Sequence, residues 1–377
     1  MAKFVDPRID RLRGVLAIGV MLGHAFDLAV ESTTQPSGIF FSIATRARPY
    51  GGFICVVGFI VLSGYCIAAS TARSFSVGRY AFMRVSRLYP LLVVAVLLTA
   101  LVEWSAFQSP DRPHMWRSGI DATHFFIALA GLSGFSGQFG ALAPSYTISF
   151  ELMYYLVWGV AMVSAFARPR RALIPATIIS LALIILNKPI RTGFADPAHF
   201  GPPLAIALLP VWLLGAGLAL FEEPLIRGVR LIPVWTGWIT LASAFTYALR
   251  RFDKPRSVGV DYGDILYFVI MSLLFVIAVA AWLARPTPQE NRADKWLGEI
   301  SYPLFLAHGP VIIGSQLLMN RLGFELPFEA ALTILIVASV LAAAVLAALV
   351  ERPVMAWRRR VKQRAPKARR IPAAEPA

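Results

Sequence analysis

Stretches of about 20 apolar residues recur along this whole sequence, and that recurrence leaves the chain few folds. A helix needs roughly 20 such residues to cross the hydrocarbon core of a bilayer. Runs of this kind fall at 11–30, 53–72, 90–107, 146–166, 171–187, 201–221, 231–249, 263–284, 300–319 and 327–350. In lipid each backbone amide must find its partner inside the protein, so such runs form helices. Composition agrees. The chain is 57% hydrophobic and only 15% charged, whereas a soluble domain carries about 25% charged residues. The expected fold is all-α: a polytopic membrane bundle of about ten transmembrane helices over residues 1–357. The basic segment 358–377, rich in Pro and Ala, is expected to be a disordered cytoplasmic tail. Cys55 and Cys66 fall on one expected helix about three turns apart, too far to bridge each other. They read as packing residues.

Charge sets the orientation. Cytoplasmic loops hold the excess of Lys and Arg. With ten spans and the N-terminus inside, 25 of the 36 basic residues lie inside and 11 outside. The stretch 122–137 is apolar but short and rich in Gly and Ser. Counting it as a full crossing leaves 15 basic residues inside and 21 outside. The expectation is therefore ten spans, both termini cytoplasmic, and 122–137 as a re-entrant segment on the outer side. The weak point is the group Arg250, Arg251, Lys254 and Arg256, which this topology puts outside. The net charge of +15 reads as topology plus attraction to anionic headgroups of the lipid bilayer. Nucleic acid is not expected as a partner, because the basic residues are scattered and the tail lacks interleaved aromatics. The basic N-terminus and first apolar run read as an uncleaved anchor.

Chemistry in such a chain shows as polar groups inside spans, where they are costly. The first span carries Arg13 and His24. Eleven residues turn an α-helix through about 1100° and raise it roughly 16 Å, so both side chains share one face. Two readings of that face stand. In one, Arg13 marks the membrane boundary and His24 is a buried histidine bonded to a neighbouring helix. In the other, the face suits a long, thin substrate with an anionic head and a reactive tail, as in acyl-CoA. Arg binds phosphate through its planar fork, and His is the usual general base near neutral pH. Asp27, three residues on, either orients the imidazole or faces water.

Five other segments carry polar groups at or inside the spans. Ser63 and Gly64 lie inside the second span, where small residues favour close helix packing. Arg84 and Arg87 sit at the mouth of the third span with an i, i+3 spacing that lets both face one ligand. Glu151 lies inside the outer part of a span, near Thr147, Tyr154 and Tyr155, and a structural role alone explains it poorly. His308 lies inside the ninth span, after Leu297-Gly298 and Ser301-Tyr302, and Glu351-Arg352-Pro353 closes the last span. No metal is expected: the histidines at 24, 114, 124, 199 and 308 include no i, i+3 or i, i+4 pair.

Taken in order, these segments resemble the acyltransferase 3 family of bacterial inner-membrane enzymes, which acylate sugars and some small molecules. The Arg-x10-His motif matches at Arg13 and His24. Phe-x-x-x-Ser-Gly matches at Phe59, Ser63 and Gly64. The basic segment before the third span matches at Arg84, Arg87, Tyr89 and Pro90. The Glu segment matches at Thr147, Glu151 and Tyr155, with Tyr146 for the usual Trp and Ile148 for Leu. The His segment matches from Leu297 to His308, with Phe305 for Tyr, and Glu351 and Pro353 fit a Glu-x-Pro. The resemblance covers residues 8 to about 360.

What the resemblance implies is a membrane-bound O-acyltransferase in the inner (cytoplasmic) membrane of a bacterium. The donor is acyl-CoA, acetyl-CoA in the common case, with no permanently bound cofactor. The acceptor is a hydroxyl of a carbohydrate such as a surface or exported glycan. His24 and Glu151 are the expected catalytic residues, and Arg13, Arg84 and Arg87 the expected acyl-CoA ligands. Asp27, Ser63, Tyr155 and His308 are second-rank candidates. Two alternatives stand beside this reading: the same chemistry on a small macrolide-like acceptor, and a solute or lipid transporter. Transporters often carry internal repeats with matched broken helices, and no such symmetry is visible in the sequence.

Overall fold

The computed structural model describes residues 6–32, 39–72, 74–106, 119–187, 201–240, 242–243, 246, 261–286 and 292–364. Side-chain detail is further limited to residues outside 31–51, 143–145, 234 and 362–364. All regular structure among the described residues is helical: α1 Pro7–Ser32, α2 Ile39–Thr71, α3 Val77–Ala106, α4 Ala122–Leu129, α5 Ser133–Ser136, a 3-10 segment Gly140–Tyr146, α6 Thr147–Ser164, α7 Pro169–Leu186, α8 Pro202–Leu220, α9 Glu222–Val229, a short 3-10 turn Val234–Thr236, α10 Tyr262–Leu283, α11 Arg292–Arg321, α12 Phe328–Leu346, a π turn Ala347–Glu351 and α13 Arg352–Arg364. Among the described residues nine helices are long and apolar enough to cross a membrane. The chain is thus a polytopic membrane helix bundle.

Local chemistry explains the helix ends. α7 and α8 open on Pro169 and Pro202, whose missing N–H would have no helical partner in the first turn. α10 opens on a capping box: Asp261 accepts from the Asp264 amide at 2.8 Å, and the Asp264 carboxylate accepts from the Asp261 amide at 3.2 Å. Its C-terminus is closed from afar. The Arg8 guanidinium donates to the carbonyls of Trp282, Arg285 and Leu283 at 2.7, 3.0 and 3.2 Å, satisfying the free end of the helix with a cation.

That contact also fixes direction. The start of α1 lies beside the end of α10, so the two run antiparallel. α1 and α11 run parallel: Gly14 faces Leu297, Gly298 faces Asp10, and further along His24 stacks on His308. Arg285 donates to the Ile232 carbonyl at 3.4 Å, so Ile232 lies at the face where α10 ends, while Tyr262 begins α10 at the other. Of the expected span 231–249, residues 231–240, 242–243 and 246 are described, and 237–240, 242–243 and 246 are helical.

The expected re-entrant segment 122–137 consists of α4 and α5, of 8 and 4 residues, joined by a turn at Gly131 with φ +74°. At 1.5 Å per residue, neither approaches a membrane thickness. Three boundaries move. α3 starts at Val77 rather than 90, so Arg84 and Arg87 are helical. α2 starts at Ile39 rather than 53. α13 continues to Arg364, so the first residues of the expected tail are helical, and 365–377 lie outside the described residues.

α2 and α8 meet closely. A Cβ on Gly64 would lie 2.0 Å from the Trp212 carbonyl oxygen, and one on Gly215 1.8 Å from that of Val61. Backbone meets backbone, the close approach that small residues permit in lipid. Gly215→Ala is expected to lower the unfolding midpoint of the purified protein, at a cost of about 1–3 kcal/mol. An unchanged midpoint in lipid nanodiscs would contradict this packing. Trp158, Trp212, Tyr154 and Phe150 fill the adjoining core.

Candidate active site

Five helices bring the separate sequence motifs to one place. α1 supplies Arg13, α2 supplies Phe59, Ser63 and Cys66, α3 supplies Arg84 and Arg87, and α6 supplies Thr147, Glu151 and Tyr155. With Tyr302 and Phe305 of α11 they line a cavity of about 130 Å³. The parallel packing of α1 and α11 carries Arg13 to this cavity, since Gly14 and Gly298 leave no side chain to hold the helices apart.

Each charged group in the cavity is held. Arg13 pairs with Asp10 one turn earlier at 3.4 Å. Arg84 donates to Ser70 Oγ at 2.9 Å and lies over the rings of Tyr80 and Tyr155 at 5.3 and 5.8 Å. Arg87 lies over the Tyr302 ring at 4.9 Å and forms an ion pair with Glu351. Glu351 ends the π turn Ala347–Glu351, a local widening often found at functional positions. Tyr155 Oη donates to Glu151 at 2.8 Å, and Trp212 Nε1 donates to Ser63 at 3.3 Å. Three guanidinium groups thus converge on a cavity that holds one carboxylate, Glu151, an arrangement made to receive an anion.

His24 and His308 lie outside this cavity. Their rings stack with centroids 5.4 Å apart and planes at 18°. His308 is fully buried, and its Nδ1 donates to the Leu304 carbonyl at 2.9 Å. A carbonyl only accepts, so Nδ1 carries the hydrogen and Nε2 presents a lone pair; Nε2 has no hydrogen-bond partner among the described residues. Phe305 connects the two regions. Its ring lies 6.4 Å from His308 and 5.3 Å from Phe59, and both Phe rings line the basic cavity. Arg13 and His24, read as sharing one face, are separated along it by that aromatic pair. Asp27 lies a turn beyond His24 and does not reach the cavity.

Sequence reasoning passed over several residues. Tyr302, whose hydroxyl donates to the Leu88 carbonyl at 3.1 Å, forms the floor under Arg87. Cys66, read as packing, lines the cavity. Glu351 reads from the sequence as the end of a span and part of a Glu-x-Pro match, with no place in the site. The Ser-Tyr-Pro and Glu-x-Pro segments were visible, but nothing local tied either to Arg87.

A second, larger cavity of about 750 Å³ opens at the opposite end of the bundle, between the end of α3, the start of α4 and the end of α11. Glu103, Trp104, Asp121, Phe125, Phe139 and Arg321 line it. Glu103 is buried and accepts from the Ala141 amide at 2.8 Å. Arg321 donates to the Ser105 carbonyl. Asp121 caps α4, and bonds from the amide and imidazole of His124 hold its carboxyl below the ordinary carboxylate value.

No metal-ligating cluster of His, Cys, Asp or Glu is found among the described residues. Compared with known proteins, the chain is 25% identical to a peptidoglycan O-acetyltransferase of Listeria monocytogenes, over 81% of this chain and 49% of that one. It is 25% identical to an O-acetyl transferase of Shigella phage Sf6, over 83% of this chain and 86% of that one. A Komagataeibacter xylinus protein named as a membrane-bound transacylase is also 25% identical, over 82% and 74%. No solved structure matches. The family model described as an acyltransferase domain matches residues 6–350, nearly the whole chain, and the protein belongs to that family, acyltransferase 3, as a multi-pass membrane O-acyltransferase.

Proposed function

We propose that the protein moves an acyl group, acetyl in the simplest case, from acyl-CoA at the basic face of the bundle to a hydroxyl of a carbohydrate at the other face. The observation that carries this reading is the order of the parts. The Arg13–Arg84–Arg87 cavity, the Phe59–Phe305 pair, the His24–His308 pair and the wide cavity at Trp104 and Asp121 follow one another from one face towards the other. The basic face is cytoplasmic in this reading, with both termini there.

The donor's phosphates engage the guanidinium groups, and its thioester extends past Phe305 to the imidazoles. His24 takes the proton of the acceptor hydroxyl as that oxygen attacks the thioester carbonyl. The C–O bond forms, the C–S bond breaks, and the CoA thiolate leaves and takes up a proton. Glu151, held by Tyr155, orients the donor or a partner group. The wide cavity suits a sugar, because aromatic rings, carboxylates and Arg321 line it together. The carbohydrate class also follows the Listeria relative, whose name gives peptidoglycan as its acceptor.

The test is mass spectrometry of surface glycans and small metabolites from cells with and without the gene, paired with thiol release from acetyl-CoA by the purified protein. Acylated glycan that disappears with the gene is the expected result. A small acylated metabolite instead would replace the acceptor class. Solute uptake without thiol release would overturn the reading.

A further inference from the structure

Three consecutive arginines stand on α13, and they do not behave alike. Arg359 and Arg360 are exposed, whereas Arg358 is only 7% exposed. Drawing a guanidinium out of water is costly unless it is paired, and no carboxylate pairs with Arg358 among the described residues. Its Nη2 donates to the Met83 carbonyl at 2.8 Å, its Nη1 reaches the Met355 sulfur at 3.0 Å, and its Nε has no partner there. The nearby carboxylates are engaged: Glu351 with Arg87, and Glu299 with Arg352 at 2.8 Å.

The position of Arg358 is specific. Met83 immediately precedes Arg84, and Arg84 Nε likewise lacks a partner among the described residues. Met355 Sδ faces Arg87 Nη1 at 3.7 Å as well as Arg358. A neutral sulfur thus has a guanidinium on each side. Trp357 packs on Phe82 at 5.5 Å and fixes this turn of α13 against α3. Arg358 therefore extends the row of cations from the cavity to the rim of the bundle, and it faces inward rather than toward the bulk.

We infer that Arg358 is a further ligand of the donor: it binds the phosphate on the adenosine ribose of CoA, at the rim of the cavity that Arg84 and Arg87 line. This rests on the proposed acyl-CoA donor. α13 is then part of the donor site and not an appended tail. An anionic lipid headgroup offers the same phosphate chemistry, so the experiment separates the two sources.

Full-length protein in zwitterionic nanodiscs is titrated with CoA and with dephospho-CoA, which lacks the 3′-phosphate. Wild type is expected to bind CoA about 10- to 100-fold more tightly, the range of a charge-assisted bond. Arg358→Gln is expected to lose that preference while binding dephospho-CoA as wild type does. Arg358→Lys, which keeps the charge and guards against misfolding of α13, is expected to recover part of it. A full 3′-phosphate preference in Arg358→Gln overturns the inference and leaves the donor reading intact. So does a defect of Arg358→Gln seen only in nanodiscs containing anionic lipid, which assigns the site to a headgroup. Failure of wild type to bind either form overturns the donor reading itself.

Discussion

His24→Ala is expected to reduce kcat by about 10²–10⁴-fold, the usual contribution of a positioned general base, with little change in the KM for acyl-CoA. The split follows from distance. Arg13 lies roughly 16 Å from His24 along α1, and it lines one cavity with Arg84 and Arg87 that His24 does not line. Removing the ring leaves them untouched. It does uncover His308, whose Nε2 is already without a partner among the described residues, so His308→Ala belongs in the same experiment. Steady-state kinetics of thiol release at equal protein level provide the measurement. Unchanged turnover in His24→Ala removes it from the mechanism. A loss far beyond 10⁴-fold, together with an acyl group trapped on the wild-type imidazole, would replace proton abstraction with a covalent acyl-histidine.

Glu351→Gln is expected to destabilise the protein by about 3 kcal/mol, because it strands the Arg87 guanidinium at the membrane mouth with its charge uncompensated. Arg87→Gln is expected to cost a similar amount from the other side. The double variant should be more stable than either single one, since no lone charge remains. Donor binding separates the two: Glu351 competes with phosphate for Arg87, so Glu351→Gln should keep or tighten CoA binding, and Arg87→Gln should weaken it. Unfolding midpoints and CoA titrations of all four proteins test this. A double variant less stable than both singles would mean that the pair is not the interaction holding the end of α12 to α3.

The sequence made the spans legible because each is a long apolar run, and lipid permits one backbone solution to such a run. It made Arg13, Arg84, Arg87, Glu151 and Tyr155 legible because polar groups inside apolar runs need a reason. The contacts that join distant runs were not legible. Nothing near Glu351 announces that it meets Arg87, and nothing in a row of arginines announces that Arg358 turns inward while its neighbours face out. The helical-face argument put Arg13 and His24 on one side of α1, but only neighbouring helices could interpose Phe59 and Phe305 between them. The short α4 and α5 were ambiguous because an apolar stretch of that length suits either a failed crossing or a folded-back one.

The parallel contact of α1 with α11 has a consequence for biogenesis. One imidazole of the stacked pair leaves the ribosome in the first membrane helix, and its partner arrives only with α11, when most of the chain has been inserted. Until then Gly14 has no surface to close against, and the basic cavity lacks the wall that Tyr302 and Phe305 provide. A nascent chain therefore lacks a complete basic cavity until α11 is in place. Truncations before α11 should insert but remain inert, however intact the motif residues that precede it are.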